Sequence, residues 1–191
     1  MSKTPSTMLE LGTAAPDFSL LEPATGKMIS LSNYTDSPLL VVFSCNHCPY
    51  VLHILKEFSA YANKYQQQGL SIVMINSNDV ENYADDSPEK MVDLIKQYEL
   101  EFAYLYDETQ QVATAYRASC TPDLFLFDKS HKLVYRGQFD ASRPGNDTVV
   151  TGEDLTTATE ALINNIPIST DQIPSLGCNI KWKSGNEPDY F

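Results

Sequence analysis

An apolar run with almost no polar residue, Leu39-Leu40-Val41-Val42-Phe43-Ser44, passes directly into Cys45-Asn46-His47-Cys48. A run of that kind suits a strand buried on both faces. Beyond it, Val51, Ile54, Leu55, Phe58, Tyr61, Ala62 and Tyr65 fall on one stripe at helical spacing, which predicts a helix from about 46 to 67. Two cysteines three residues apart therefore sit at a strand-to-helix junction. A thiol there faces the first turn, where unpaired N–H groups and the helix dipole favour an anion. The thiolate is the nucleophile, and a free thiol near pKa 8.5 is only roughly 3% ionised at neutral pH, so a lowered pKa is the route to reactivity. The second cysteine can then close a disulfide with little chain to order.

The flanking sequence completes an α/β pattern. Pro16 to Leu21 and Lys27 to Leu31 read as an N-terminal β-hairpin turned at Gly26. Residues 1–15 read as loosely ordered. A second buried strand, Leu70 to Ile75, precedes a helix opened by Asp86-Ser87-Pro88-Glu89, the cap-then-proline signal. A short strand at 103–106 and a short helix at 110–116 follow. A hairpin pairs 124–127 with 133–136, and a last helix spans about 153 to 165. The alternation predicts a central mixed β-sheet flanked by helices on both faces. The expected division is one domain over 10–166 and an irregular C-terminal extension over 167–191.

Composition narrows the function. The 191 residues carry 25 acids against 13 bases, a net charge of −12. Such a surface repels phosphate backbones and anionic membranes, so neither nucleic acid nor membrane is an expected partner. The first residues hold no apolar core of signal-peptide length, and no run approaches a membrane span; a cytoplasmic location is expected. In a leaderless chain of this size a CxxC indicates metal or redox work rather than a structural framework.

The order of elements, the CxxC at its junction and Thr121-Pro122 before the 124–127 strand together resemble the thioredoxin fold. Gly12-Thr13-Ala14-Ala15-Pro16-Asp17-Phe18 resembles the start of the redoxin superfamily of alkyl hydroperoxide reductases and thiol-specific antioxidant proteins. Cys45-Asn46-His47-Cys48-Pro49-Tyr50-Val51, Tyr135 to Asp140, Ser142 to Asp147 and Ser175-Leu176-Gly177-Cys178 resemble a peroxiredoxin-like, CxxC-bearing subgroup of it. The resemblance implies a thiol–disulfide oxidoreductase with Cys45 as the exposed attacking thiol and Cys48 as the shielded resolving one. His47, as a partial cation, would stabilise the Cys45 thiolate. Thr121 and a cis Pro122 would hold an extended substrate by strand-like hydrogen bonds. Partners would be protein or small disulfides and thiols, regenerated by a thioredoxin or glutathione system. No cofactor and no metal are expected.

The same resemblance exposes gaps. The buried acid that thioredoxins carry six residues before the first cysteine is Leu39 here, so no proton acceptor for Cys48 can be named. A peroxiredoxin-like peroxidase matches at Pro38. It lacks its hydroxyl, replaced by Val42, and its arginine, whose place holds Pro122. That activity is the runner-up. A soft-metal site drawing on Cys45, Cys48, His47 and either Cys120 or Cys178, or a redox-inactive binding module, are the remaining readings. Cys120 is expected to be a small buried hydrophobe, and Cys178 an accessory thiol if the tail folds over the site.

Overall fold

The structure, a computed structural model, describes residues 3–190; Met1, Ser2 and Phe191 lie outside it, with the part of the N-terminal expectation that falls on the first two. In chain order the strands are β1 (Lys3–Pro5), β2 (Ser19–Glu22), β3 (Lys27–Ser30), β4 (Leu39–Ser44), β5 (Ser71–Asn76), β6 (Ala103–Tyr106), β7 (Cys120–Thr121), β8 (Asp123–Phe127), β9 (Leu133–Gly137) and β10 (Leu176–Asn179). The α-helices are α1 (Pro49–Gln66), α2 (Pro88–Tyr98), α3 (Gln111–Ala115) and α4 (Glu153–Ile163).

The main sheet has the order β3-β2-β6-β5-β4-β8-β9. β4, β5 and β6 run parallel, whereas β8 and β9 on one side and β2 and β3 on the other pair antiparallel. β4 is central, and its alternate side chains enter different cores. Leu40 and Val42 pack with Ile54, Leu55 and Phe58 of α1, while Leu39, Val41 and Phe43 join Val112 and Ala113 of α3. Burial on both faces is why this strand reads as an unbroken apolar run rather than as an alternation. The helices thus flank a mixed sheet, and β2–β3 forms the N-terminal hairpin.

Two segments differ from the sequence expectation. The tail is irregular apart from β10, which builds a second, three-stranded sheet of order β1-β10-β7. The chain start, expected to be loose, supplies β1 to that sheet, with Lys3 opposite Cys178 and Thr4 opposite Gly177. Past β10, Ile180 and Trp182 pack into the core beneath α3. These strands are too short to show a period of two, and prolines punctuate both ends, so pattern alone does not reveal them.

Candidate active site

α1 begins at Pro49, three residues later than the spacing suggests. Proline fits the first helical position because its missing N–H has no partner there in any case. Cys48 is consequently the N-cap residue, with extended backbone at φ −67° and ψ 122°. Cys45 follows directly from β4. The dipole argument therefore applies to Cys48 rather than to Cys45.

The two sulfurs meet at the segment before β8. The Thr121–Pro122 peptide is cis. Cys45 Sγ lies 3.4 Å from Thr121 Oγ1, and Cys48 Sγ lies 3.2 Å from the Thr121 carbonyl oxygen. Cys45, Cys48, Cys178 and Val51 form a small buried cluster of their own, with Tyr50 packed against it. All four cysteines of the chain are free of disulfides and buried.

Position separates the two thiols chemically. Hydrogen bonding from the Cys45 thiol, outweighing the burial that opposes it, holds Cys48 down to about 5; Cys178, the Val51 N–H and Thr121 assist. The carbonyl of Thr121 favours the protonated thiol, but the donors converging on one sulfur outnumber it. Burial pushes Cys45 well up, and its hydrogen bond to Cys48 and the charge of Asp86 add to this. Cys178 is pushed up to about 12 by burial and by its hydrogen bond to Cys48. Of the three clustered thiols, Cys48 is the one shifted downward. Cys45, expected to be the exposed thiol, is only 1% exposed, and Cys48 is fully buried.

A buried acid stands beside the pair after all. Asp86 lies in a short 3₁₀ turn just before α2 and is fully buried. Its Oδ1 accepts from the Asn46 backbone N–H at 2.7 Å, and its Oδ2 accepts from Asn78 Nδ2 at 2.7 Å. His47 Nδ1 lies 2.8 Å from the same Oδ2, with the ring stacked on Tyr83. Asn46 is held further by its Nδ2 donating to Asp85 O at 3.0 Å and its Oδ1 accepting from Tyr104 OH at 3.0 Å. The residues between the cysteines are therefore clamped onto a segment that follows β5. Sequence reasoning misses Asp86 because it sits on a different element from the one searched. Its acid-rich stretch reads only as a helix start, which it also is, with Ser87 Oγ accepting from the Lys90 N–H at 3.5 Å.

The other anticipated residues fall as follows. His47 is paired with Asp86, so any cationic help it gives Cys45 is opposed by an adjacent carboxylate. Cys120 is a buried thiol donating to Pro122 O at 3.6 Å, in keeping with a small hydrophobe. The Thr121 edge, expected to receive an extended substrate, is taken by β10, with Cys178 opposite Thr121. One donor atom each from Cys45, His47 and Asp86 lies within 4.8 Å of the others, the one such cluster among the described residues. Both Asp86 oxygens already accept from amides, and a structural zinc wants four arranged ligands, so this set fits a metal poorly. Pro122 leads into Asp123, fully buried and bound to Arg136 Nη2 at 3.1 Å; Arg136 also donates to Arg117 O at 2.9 Å and packs over Phe125.

A CxxC pair between a central strand and a helix N-terminus, facing a cis-proline, defines a thioredoxin-fold dithiol protein. The model of the AhpC/TSA family matches residues 11–136, and the chain belongs to that family. It is 31% identical over 129 residues, 64% of each chain, to the thiol-disulfide oxidoreductase ResA of Bacillus subtilis. Among solved structures it is similar to an uncharacterised conserved protein from Geobacillus kaustophilus, at 47% identity and a TM-score of 0.93 over 96% of this chain and 97% of that one. A hypothetical protein from Sinorhizobium meliloti matches at 45% identity and a TM-score of 0.93, covering 95% of this chain and 100% of that one. A putative thiol:disulfide interchange protein DsbE from Chlorobium tepidum shares the fold at 24% identity and a TM-score of 0.66, over 82% of this chain and 99% of that one.

Proposed function

We propose that the chain is a thiol–disulfide oxidoreductase that works through Cys45 and Cys48, with Cys48 as the attacking thiol. The observation that carries this is the placement of Cys48 Sγ at the N-cap of α1, packed with Cys45 and 3.2 Å from the Thr121 carbonyl oxygen at the cis-proline. A thiol with a pKa of about 5 is almost wholly ionised at neutral pH. Cys48 attacks a disulfide and forms a mixed disulfide while the first substrate thiolate leaves. Cys45 then attacks Cys48 Sγ, the second substrate thiolate leaves, and the Cys45–Cys48 bridge remains. The proton of Cys45 needs an acceptor at that moment. Asp86, buried beside it, or the departing thiolate itself can take it. This reverses the roles that the resemblance alone assigns. Support comes from the curated relatives named thiol-disulfide oxidoreductases.

Protein or small-molecule disulfides are the substrate class, and a dithiol system must regenerate the pair. A reducing compartment such as the cytoplasm would supply one. A peroxidase reading finds less support. The charge beside Cys45 is the anion Asp86, whereas peroxide activation needs donors and positive charge. Disulfide reduction, followed with insulin and dithiothreitol, tests the proposal. Cys48→Ser is expected to abolish catalysis above the uncatalysed rate, and Cys45→Ser to lower it. Full activity in Cys48→Ser would overturn it.

A further inference from the structure

We propose that Cys178 is a second resolving thiol for Cys48, carried on a tail strand that occupies the place of a substrate strand. This rests on the oxidoreductase reading above and extends it.

The placement is specific. β10 pairs antiparallel with β7, with Cys178 opposite Thr121 and Asn179 opposite Cys120. β1 closes its other side. This is the edge beside the cis-proline where an extended peptide would be expected to pair. A Cβ at Gly177 would lie 2.0 Å from Thr121 O, so only glycine lets the tail approach this closely. The strand is pinned at both ends. Ser175 Oγ donates to Gly137 O at 2.7 Å, and Ser175 O accepts from the Ser6 N–H at 2.8 Å. Beyond it, the Lys181 N–H donates to Asn78 Oδ1 at 2.8 Å, and Lys181 O accepts from the Asp79 N–H at 2.8 Å and Gln110 Nε2 at 2.9 Å. The result is that Cys178 joins Cys45, Cys48 and Val51 in one buried cluster, and Cys48 is the hydrogen-bond partner of both other thiols. Cys120, one residue from Thr121, bonds instead to Pro122 O and is not part of the cluster.

The chemistry balances without a further reagent. β10 moves aside to admit a substrate disulfide, which the Cys48 thiolate attacks, releasing one substrate thiolate. When β10 returns, Cys178 gives up its proton and attacks Cys48 Sγ. The Cys48–Cys178 bond forms as the Cys48–substrate bond breaks, and the second substrate thiolate leaves with that proton. Two electrons have passed to the substrate, whose disulfide is replaced by one in the protein. Cys45 and Cys178 thus compete for one sulfur. The Cys45–Cys48 bridge leaves the tail able to open, whereas the Cys48–Cys178 bridge ties it shut until an external dithiol reduces it.

The test is disulfide mapping after oxidation of the full chain with glutathione disulfide, acid quenching and alkylation. The wild-type protein is expected to yield both Cys45–Cys48 and Cys48–Cys178 linkages. Cys45→Ser should yield Cys48–Cys178 alone, and Cys45→Ser with Cys178→Ser should retain glutathione on Cys48. Gly177→Ala in the Cys45→Ser background keeps both thiols while displacing the strand, and should lose the Cys48–Cys178 linkage. If Cys45→Ser carries glutathione on Cys48 with Cys178 still a thiol, the second resolving role is overturned, and a Cys45–Cys48 bridge in Cys178→Ser would show the oxidoreductase reading intact. If no variant forms any bridge, both fall together.

Discussion

At Cys48 a single sulfur gathers more donors than burial can offset. Its largest support is the Cys45 thiol, with Cys178, the Val51 N–H and Thr121 behind it. Alkylation of Cys48 by iodoacetamide, followed by mass spectrometry, is therefore expected to show an inflection near pH 5, with the rate falling as pH drops through it because the thiol form is unreactive. Cys45→Ala deletes the main donor and should move the inflection upward, whereas Cys45→Ser, whose hydroxyl still donates, should move it less. An inflection in the ordinary thiol range for the native chain would contradict this picture. The lowered pKa also stabilises the reduced form and so makes the pair more oxidising. On the neighbouring sulfur, burial, the hydrogen bond to Cys48 and the charge of Asp86 all act in the other direction and favour the protonated Cys45 thiol.

Among the elements, the junction of β7 and β8 carries the most consequence, because it presents Thr121 and Pro122 to the thiols. Behind it the fully buried Asp123 and Arg136 pair across β8 and β9. Arg136→Met should cost about 3–5 kcal/mol in urea unfolding, since it strands a buried carboxylate; adding Asp123→Leu should recover much of that loss. A double variant no more stable than the single one would show that the pair contributes more than mutual neutralisation. The elements differ in how plainly the sequence announces them. β4 and β5 are legible because burial on both faces leaves an unbroken apolar run. α1 is legible in its stripe from Val51 to Tyr65, but its start is misjudged by three residues, although Pro49 marks a first helical position and Cys48 the cap before it. β1 and β10 stay hidden because their stability comes from partners far along the chain rather than from local pattern.

Across the whole molecule, the site is assembled from segments that are distant in sequence. Cys45 and Cys48 come from the β4–α1 junction, Asp86 from the turn before α2, Thr121 and Pro122 from the β7–β8 junction, and Cys178 from the tail. The main strands and helices and the CxxC were readable from the sequence as local signals, whereas the thioredoxin-like arrangement and the cis-proline followed from the family resemblance. The buried acid and the tail's position beside the proline were readable by neither route, since both depend on tertiary packing between elements without a shared motif. The same packing buries both sulfurs of the CxxC, with β10 of the tail set against them, so access for a partner requires that strand to move. The central claim is that Cys45 and Cys48 form a reversible two-electron couple. It is tested most directly by equilibrating the Cys178→Ser chain across glutathione buffers and counting alkylated thiols by mass. The account predicts the paired loss of two thiols, at Cys45 and Cys48, at a single potential within the range roughly −300 to −120 mV spanned by thiol oxidoreductases. Both thiols remaining alkylatable across that whole range would contradict it.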